Sequence, residues 1–397
     1  MIGAICMLLI AGWQIQTSTV SVDLYDVDRV SANECWVTGL AGTILHTTNA
    51  GASWAGQTSG ITRDLYGVDF VDALNGWAVG SGPTILHTTN GGNTWTPQNP
   101  VTTNNLLNVA FVDLNRGWAS GVTGTIMGTT DGGTTWRSEL SGEWAWLWGL
   151  TAVSSNTAWA FGGDWFQNVA PIFYYNGTSW RKQIDITETK DGNGITAVNA
   201  SVVFAVGGAG VIYYSSNSGT NWTRQTSGTT EGLRSIAAPT ASSCWAVGSS
   251  GIILYTGNGG SSWSRQTSPV TDTLFGVTMW DLLRGWAVGK NGRILFTTDG
   301  GVDVVEMPSD FLHSPVSIYP NPVSSRLHLC CPKLSQKTVT VKLFDANGRL
   351  CSLLYQGKSA ESLVFDLSGL ANGVYFITLT SAEQRISRRF TKIDRPN

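Results

Sequence analysis

The sequence predicts an all-β protein, a seven-bladed β-propeller followed by a small β-sandwich domain, and three observations carry that prediction. A Gly/Asn turn closed by Trp stands as Thr88-Thr-Asn-Gly-Gly-Asn-Thr-Trp95 and again at 47–54 (TTNAGASW), 129–136 (TTDGGTTW), 215–222 (SSNSGTNW) and 256–263 (TGNGGSSW). A shortened form occupies 174–180 (YYNGTSW), and a last copy, TTDGGVDV from Thr297, has no Trp. A second marker, of the type Gly-Trp-Ala-Val-Gly, centres on Trp36, Trp77, Trp118, Trp159, Phe204, Trp245 and Trp286, at intervals of 41, 41, 41, 45, 41 and 41 residues. The third is composition: 13% charged residues, 47 Gly and 18 Trp in 397 residues, against roughly 25% charged in an average globular chain.

Units of that period, with short apolar runs divided by Gly/Asn/Asp turns, match the four strands of a propeller blade. In the second unit the strands fall at 65–70, 76–79, 84–87 and from Trp95 onward. Closure of the ring is read from what the seventh unit lacks. It ends at Gly301 without Trp or a fourth strand, while the N-terminal WQIQTS of 13–18 matches WAGQTS of 54–59, WTRQTS of 222–227 and WSRQTS of 263–268. Residues 13–20 are therefore expected to form the outer strand of the last blade. Each marker Trp buries roughly 150–250 Å², worth about 4–6 kcal/mol gross at ~25 cal/mol/Å², so packing accounts for most of the Trp content. His46 and His87 share one third-strand position, which also reads as packing.

The apolar run MIGAICMLLIAG is too short to span a bilayer and reads as a signal peptide over 1–12. The propeller is expected over 13–301, a linker over 302–315 (VDVVEMPSDFLHSP) and a second domain over 316–397. No later stretch is long and apolar enough for a transmembrane segment in the mature chain. Net charge is −3 with no basic cluster in the repeats, which excludes an electrostatic footprint for nucleic acid. Cys35 and Cys244 lie at one repeat position in units that are not neighbours, whereas Cys330 or Cys331 is placed to approach Cys351 in the tail. No Cys/His spacing suggests zinc, and the Asp-Gly-Gly turns lack the alternating carboxylates of a calcium loop. Neither metal nor cofactor is expected.

The Thr/Ser-x-Asp/Asn-x-Gly-x-Thr/Ser-Trp turn resembles the Asp-box, or BNR repeat, of the sialidase-like propellers. Combined with Gly-Trp-Ala-Val-Gly and Ile-Leu-His-Thr-Thr, it is most similar to the repeat of the photosystem II stability/assembly-factor family over 12–301. That resemblance implies a seven-bladed binding scaffold and, as one alternative, a chaperone for a membrane complex. In the tail, Val316-Ser-Ile-Tyr-Pro-Asn-Pro322, Lys342-Leu-Phe-Asp-Ala-Asn-Gly-Arg349 and Leu367-Ser-Gly-Leu-Ala-Asn-Gly-Val-Tyr-Phe-Ile377 resemble the type A C-terminal sorting domain of the type IX secretion system. It implies export through the periplasm, the secretion machinery as a partner, and release from or attachment to the outer surface.

The other alternative is a sialidase-like glycoside hydrolase. The Arg-Ile-Pro signature of that class is absent, and Arg63, Arg116, Arg234 and Arg284 fall at differing repeat positions. No catalytic residue is therefore assigned. The fourth unit alone departs from regularity, with Glu143-Trp-Ala-Trp-Leu-Trp148 before its first strand and Gly163-Asp-Trp-Phe-Gln-Asn168 between its second and third. Both segments are expected on the face opposite the Asp-boxes. Trp144, Trp146, Trp165 and Phe166 are expected to converge as an aromatic platform edged by Glu143 and Asp164, for a protein or carbohydrate ligand. Trp148 aligns with Tyr25, Tyr66 and Phe275 and is expected in the core.

Overall fold

Small residues beside each marker Trp permit sheets to stack closely, and the resulting architecture is built from such stacks. The computed structural model describes residues 12–139 and 144–301 and, beyond them, 317–319, 323, 325–330, 337–345, 350–358, 360, 362–381 and 385–392. The chain forms two compact units, Met1–Val304 and Val305–Asn397.

The first unit holds seven four-stranded antiparallel sheets. Blade one comprises Leu24–Arg29, Cys35–Gly39, Ile44–Thr47 and Ala55–Gln57, from the axis outward. Blade two runs through Leu65–Phe70, Gly76–Gly80, Thr84–Thr88 and Thr96–Pro97, and blade three through Leu106–Phe111, Gly117–Gly121, Ile126–Thr129 and Arg137–Ser138. Blade four is longer: Trp146–Ser154, Thr157–Gly163, Ala170–Tyr175 and Trp180–Ile186. Blades five and six follow as Gly192–Ala197 to Thr223–Gln225 and Leu233–Ala237 to Ser264–Gln266. Blade seven takes three strands from Leu274–Met279, Gly285–Gly289 and Ile294–Thr297, and its fourth is Gln14–Gln16, paired with Ile294–Phe296. The innermost strands neighbour one another in cyclic order, with that of blade seven against that of blade one.

Second strands are buried along their whole length in six blades, and in blade four at all but Thr157, because both faces meet neighbouring sheets. Trp77 is stacked between Phe111 of blade three, at 3.6 Å and 8°, and His87 of its own blade, at 4.6 Å and 9°. Trp36 is held in the same way between Phe70 and His46. Burial lowers the pKa of both histidines, so they serve as neutral packing rings. Cys35 and Cys244 are buried thiols of blades one and six.

Sheets of adjoining blades share no strand pairing, and side chains supply the missing bonds. At the periphery, Gln57 donates Nε2 to Gly91 O of the next Asp-box and accepts Trp95 Nε1 on Oε1, at 3.0 and 3.2 Å. Gln16, Gln98, Gln225 and Gln266 repeat both bonds. Within the turn, Thr88 Oγ1 donates to Asn90 Oδ1 and accepts the N–H of Gly92. Gly92 has φ +81°, and a Cβ there would lie 2.0 Å from Gln57 Oε1, so both conformation and space demand glycine.

Around the axis, side chains of one innermost strand bind backbone of the next. Asp26 Oδ2 accepts Val68 N at 3.0 Å, Asp28 Oδ2 accepts Phe70 N at 2.8 Å, and Asp69 Oδ2 accepts Phe111 N at 2.7 Å. Asn108, Asn193 and Ser235 continue the series to Trp148 O, Leu233 O and Val277 N. Burial raises the carboxyl pKa values, to about 7 at Asp26, to about 6 at Asp28, and well above the usual range at Asp69.

The second unit contains a three-stranded sheet, Ser317–Tyr319, Arg326–Cys330 and Ser362–Asp366, and a four-stranded sheet ordered Leu350–Lys358, Thr338–Asp345, Gly373–Thr380, Arg385–Lys392. Val323, Leu327, Leu329, Val341, Phe365, Ile377 and Phe390 form one buried core from both sheets. Cys351 is exposed on the four-stranded sheet. The Cys330 side chain and Cys331 lie outside the described residues. Among the described residues, no helix is long and apolar enough to cross a membrane.

Candidate binding surface

Loops joining second to third strands, and one blade to the next, open on one end of a propeller; the Asp-box turns open on the other. Blade four breaks the pattern at both ends. On the first, its innermost strand starts early, so that Trp146 pairs with Gly163 within the sheet and belongs to a strand, not to a loop. The chain then turns tightly between Asp164 and Val169, which exchange backbone hydrogen bonds.

That short hairpin raises Trp165 and Phe166 into solvent, 60% and 88% exposed, beside Trp144 at 70% and Trp146 at 43%. Trp146 and Trp165 are stacked, with ring centroids 5.7 Å apart at 22°. Lys190 Nζ lies 5.4 Å from the Trp165 centroid. The four aromatic residues expected to converge are thus exposed on neighbouring segments at one end of the blade. Glu143 lies outside the described residues.

Asp164 departs from expectation. It is 1% exposed, and its Oδ1 accepts the N–H groups of Phe166 and Gln167, each at 2.9 Å. The carboxylate closes the turn that presents the platform and offers no polar edge to a ligand. Trp148 departs as well. It is half-buried, and its ring lies 6.1 Å from Tyr66 and 6.5 Å from Trp146. Tyr25 in turn lies 5.2 Å from both Tyr66 and Phe275. These residues, near the starts of four innermost strands, form a series of ring contacts from Phe275 through Tyr25, Tyr66 and Trp148 to Trp146. The alignment of 25, 66, 148 and 275 contained that signal, but alignment alone does not tell a lining position from a core one. Burial and the neighbouring Asp23 push the Tyr25 pKa up to about 12, so its hydroxyl stays protonated.

The other end of blade four holds a feature that sequence reasoning missed. Its Asp-box is one residue short, and Glu139 stands where six other blade junctions carry Gln. Glu139 Oε2 accepts both Trp118 Nε1 at 3.0 Å and Trp180 Nε1 at 3.1 Å, and Oε1 pairs with Arg116 at 3.4 Å. Arg116 lies 4.0 Å from the Trp118 centroid and donates to Thr129 O. A cleft of about 410 Å³ opens beside this pair, lined also by Arg137, Asn156, Tyr175 and Gly177. The cue was the shortened turn together with Glu in the Gln register.

The four arginines singled out in the sequence do not meet one another. Arg63 donates to Gly82 O, Arg234 to Asn193 Oδ1, Arg116 meets Glu139 and Arg284 meets Asp281.

Comparison with known proteins gives two family matches. The family described as photosynthesis system II assembly factor YCF48 matches residues 6–100 and 97–256, and the secretion system C-terminal sorting domain matches residues 317–393. Among solved structures, YCF48 bound to D1 peptide has 20% identity and a TM-score of 0.61, covering 73% of this chain and 98% of its own. YCF48 from Cyanidioschyzon merolae has 18% identity and the same TM-score, over 72% of this chain and 98% of its own. PorZ, a bacterial surface component of the type-IX secretion system of Porphyromonas gingivalis, has 14% identity and a TM-score of 0.53, covering 96% of this chain and 59% of its own. At these identities the likeness concerns the fold. No curated protein sequence matches the chain.

Proposed function

We propose that this chain, which belongs to the photosynthesis system II assembly factor YCF48 family and ends in a secretion system C-terminal sorting domain, is an exported, non-catalytic propeller that docks a protein partner on the blade-four platform. The sorting domain implies delivery to the cell surface or beyond, through the type IX machinery that its motifs resemble. The stacked Trp146–Trp165 pair with exposed Trp144 and Phe166 is the observation that carries the docking surface. Clustered aromatics of this kind are frequent anchors of protein interfaces.

Asp164 and Lys190 support a protein ligand over a carbohydrate. A sugar needs a free aromatic face and side chains that reach its hydroxyls. Here one Trp165 neighbour is Trp146 and another is Lys190, while the Asp164 carboxylate is spent on its own turn. Such a surface suits an apolar protein patch better than a glycan. YCF48 bound to D1 peptide shows that a relative of this fold takes a polypeptide, which supports the same class of ligand. The non-catalytic reading rests on the dispersed arginines and on the axial carboxylates, which are engaged in blade-to-blade bonds.

The test is affinity capture from the outer-membrane and extracellular fractions of the producing bacterium, with the full chain and with Trp144→Ala/Trp165→Ala. Both side chains are exposed, so the variant should fold. Loss of a specific protein band is expected; undiminished capture by the double variant, or selective binding to a glycan array, overturns the reading.

A further inference from the structure

Six marker rings are covered by a ring from the third strand of their own blade: His46, His87, Tyr174, Tyr214, Tyr255 and Phe296. Blade three has Gly128 at that position, opposite Trp118. A Cβ on Gly128 would collide with Glu139 Oε1 and lie 3.1 Å from Arg116 Nη1, so the room of the missing ring is given to the Glu139–Arg116 pair. Across from it, the shortened turn of blade four carries Gly177 at φ +89°, where a Cβ would crowd Asn156. Glycine at both positions leaves the cleft of about 410 Å³ open between the two blades, a size within the range of about 300–1,000 Å³ that holds small ligands.

We propose that this cleft binds an acidic sugar, a hexuronic acid unit, through its carboxylate. The site lies at the Asp-box end and stands independently of the blade-four platform.

The lining is rich in donors and poor in open acceptors. Arg116, Thr130 and Arg137 enter it from blade three, and Ser155 and Asn156 from blade four. Glu139 is the one carboxylate in the lining, and its oxygens are taken by Trp118, Trp180 and Arg116. Asp113 and Asp131 lie near Arg116 and Arg137 outside the lining, and each is bound within its own turn. Asp113 Oδ1 accepts the N–H groups of Asn115 and Arg116, while Asp131 accepts Thr129 Oγ1, Thr135 N and Thr135 Oγ1.

The two arginines against Glu139 leave the lining one positive charge in excess, which matches a carboxylate better than a phosphate dianion. Arg137 is exposed at the rim and presents the planar fork that pairs with a carboxylate; Arg116, 11% exposed, adds its charge at the floor. Thr130, Ser155 and Asn156 offer hydroxyl and amide partners to ring hydroxyls. Tyr175 is 7% exposed, so charge takes the place of the aromatic face that a neutral sugar needs. The lining holds no aliphatic side chain for the residues that flank an acidic group in a peptide.

The test is calorimetric titration of the full chain with methyl glucuronide, methyl galacturonide, methyl glucoside and N-acetylglutamate. Saturable binding of at least one uronide is expected, about tenfold or more tighter than the glucoside and N-acetylglutamate, and weakened about tenfold or more in Arg137→Ala. Trp144→Ala/Trp165→Ala should bind the uronide as wild type does, so that failure of the platform and failure of the cleft are read separately. Equal binding of the glucoside would show that the carboxylate is not read, and equal binding of N-acetylglutamate that the sugar is not. Either result, uronide affinity unchanged in Arg137→Ala or lost in the platform variant, or no binding of either uronide overturns the proposal.

Discussion

The indole N–H of Trp13 donates to Oε1 of Gln266 at 2.9 Å across 253 positions of sequence, and this bond joins the two ends of the ring. Trp13 is 5% exposed within the cluster of Trp245, Val277 and Leu295. Trp13→Ala removes a buried aromatic, a cost of about 3–5 kcal/mol. The melting temperature of the propeller should fall by about 10 °C, and deletion of 13–20 should lower it further; calorimetry of the full chain decides.

Glu139 holds two indole N–H groups and the Arg116 guanidinium on one carboxylate. Glu139→Ala strands three donors in a mostly buried place, for a loss of about 3 kcal/mol. Glu139→Gln keeps one acceptor and should recover part of it. Urea unfolding of the three proteins should rank them wild type, Gln, Ala; an Ala variant as stable as wild type would refute the role given to the carboxylate.

Asp26 has a pKa pushed up to about 7 by burial, against about 3.9 for an exposed aspartate. The folded chain therefore holds this proton more tightly than the unfolded one. Its contribution is fully present below about pH 4 and is lost as pH rises toward 7 and above. Asp28 and Asp69 shift in the same direction. Asp26→Asn retains an acceptor for Val68 N and removes the charge. It should raise the melting temperature at pH 8 by a few degrees and change it little at pH 4.5. A variant destabilised equally at both pH values would show that the carboxylate acts otherwise.

Asp164 supports the platform from beneath, through the N–H groups of Phe166 and Gln167. Asp164→Ala should weaken partner binding about as much as Trp165→Ala, though Asp164 faces no ligand. Asp164→Asn, which preserves the acceptor, should bind nearly as wild type. Surface plasmon resonance with the captured partner distinguishes the two; equal loss in both would place the carboxylate in direct contact with the partner.

The platform shows where sequence reading stops. Trp144, Trp146, Trp165 and Phe166 were legible because blade four interrupts a regular repeat. The fate of Asp164 was not, since a carboxylate beside exposed aromatics reads alike whether it faces solvent or caps its own turn. Glu139 was hidden for a related reason. Its departure from Gln is a single letter, and its importance depends on Arg116 and Trp118 of blade three meeting Trp180 of blade four there.

By itself the sequence determined the blade count, the Asp-box turns, the Trp13 strand as the missing element of blade seven, and the sorting tail. These follow from local spacing and turn chemistry, which the chain writes in order. The tertiary structure alone decided which polar groups are consumed between blades. Asp26, Asp28, Asp69 and Glu139 satisfy backbone or indole donors of adjoining blades, and the Asp299 carboxylate meets Gly12 from 287 positions away. A buried hydrogen bond is fixed by which strands the closed ring brings together, and no local pattern encodes that meeting.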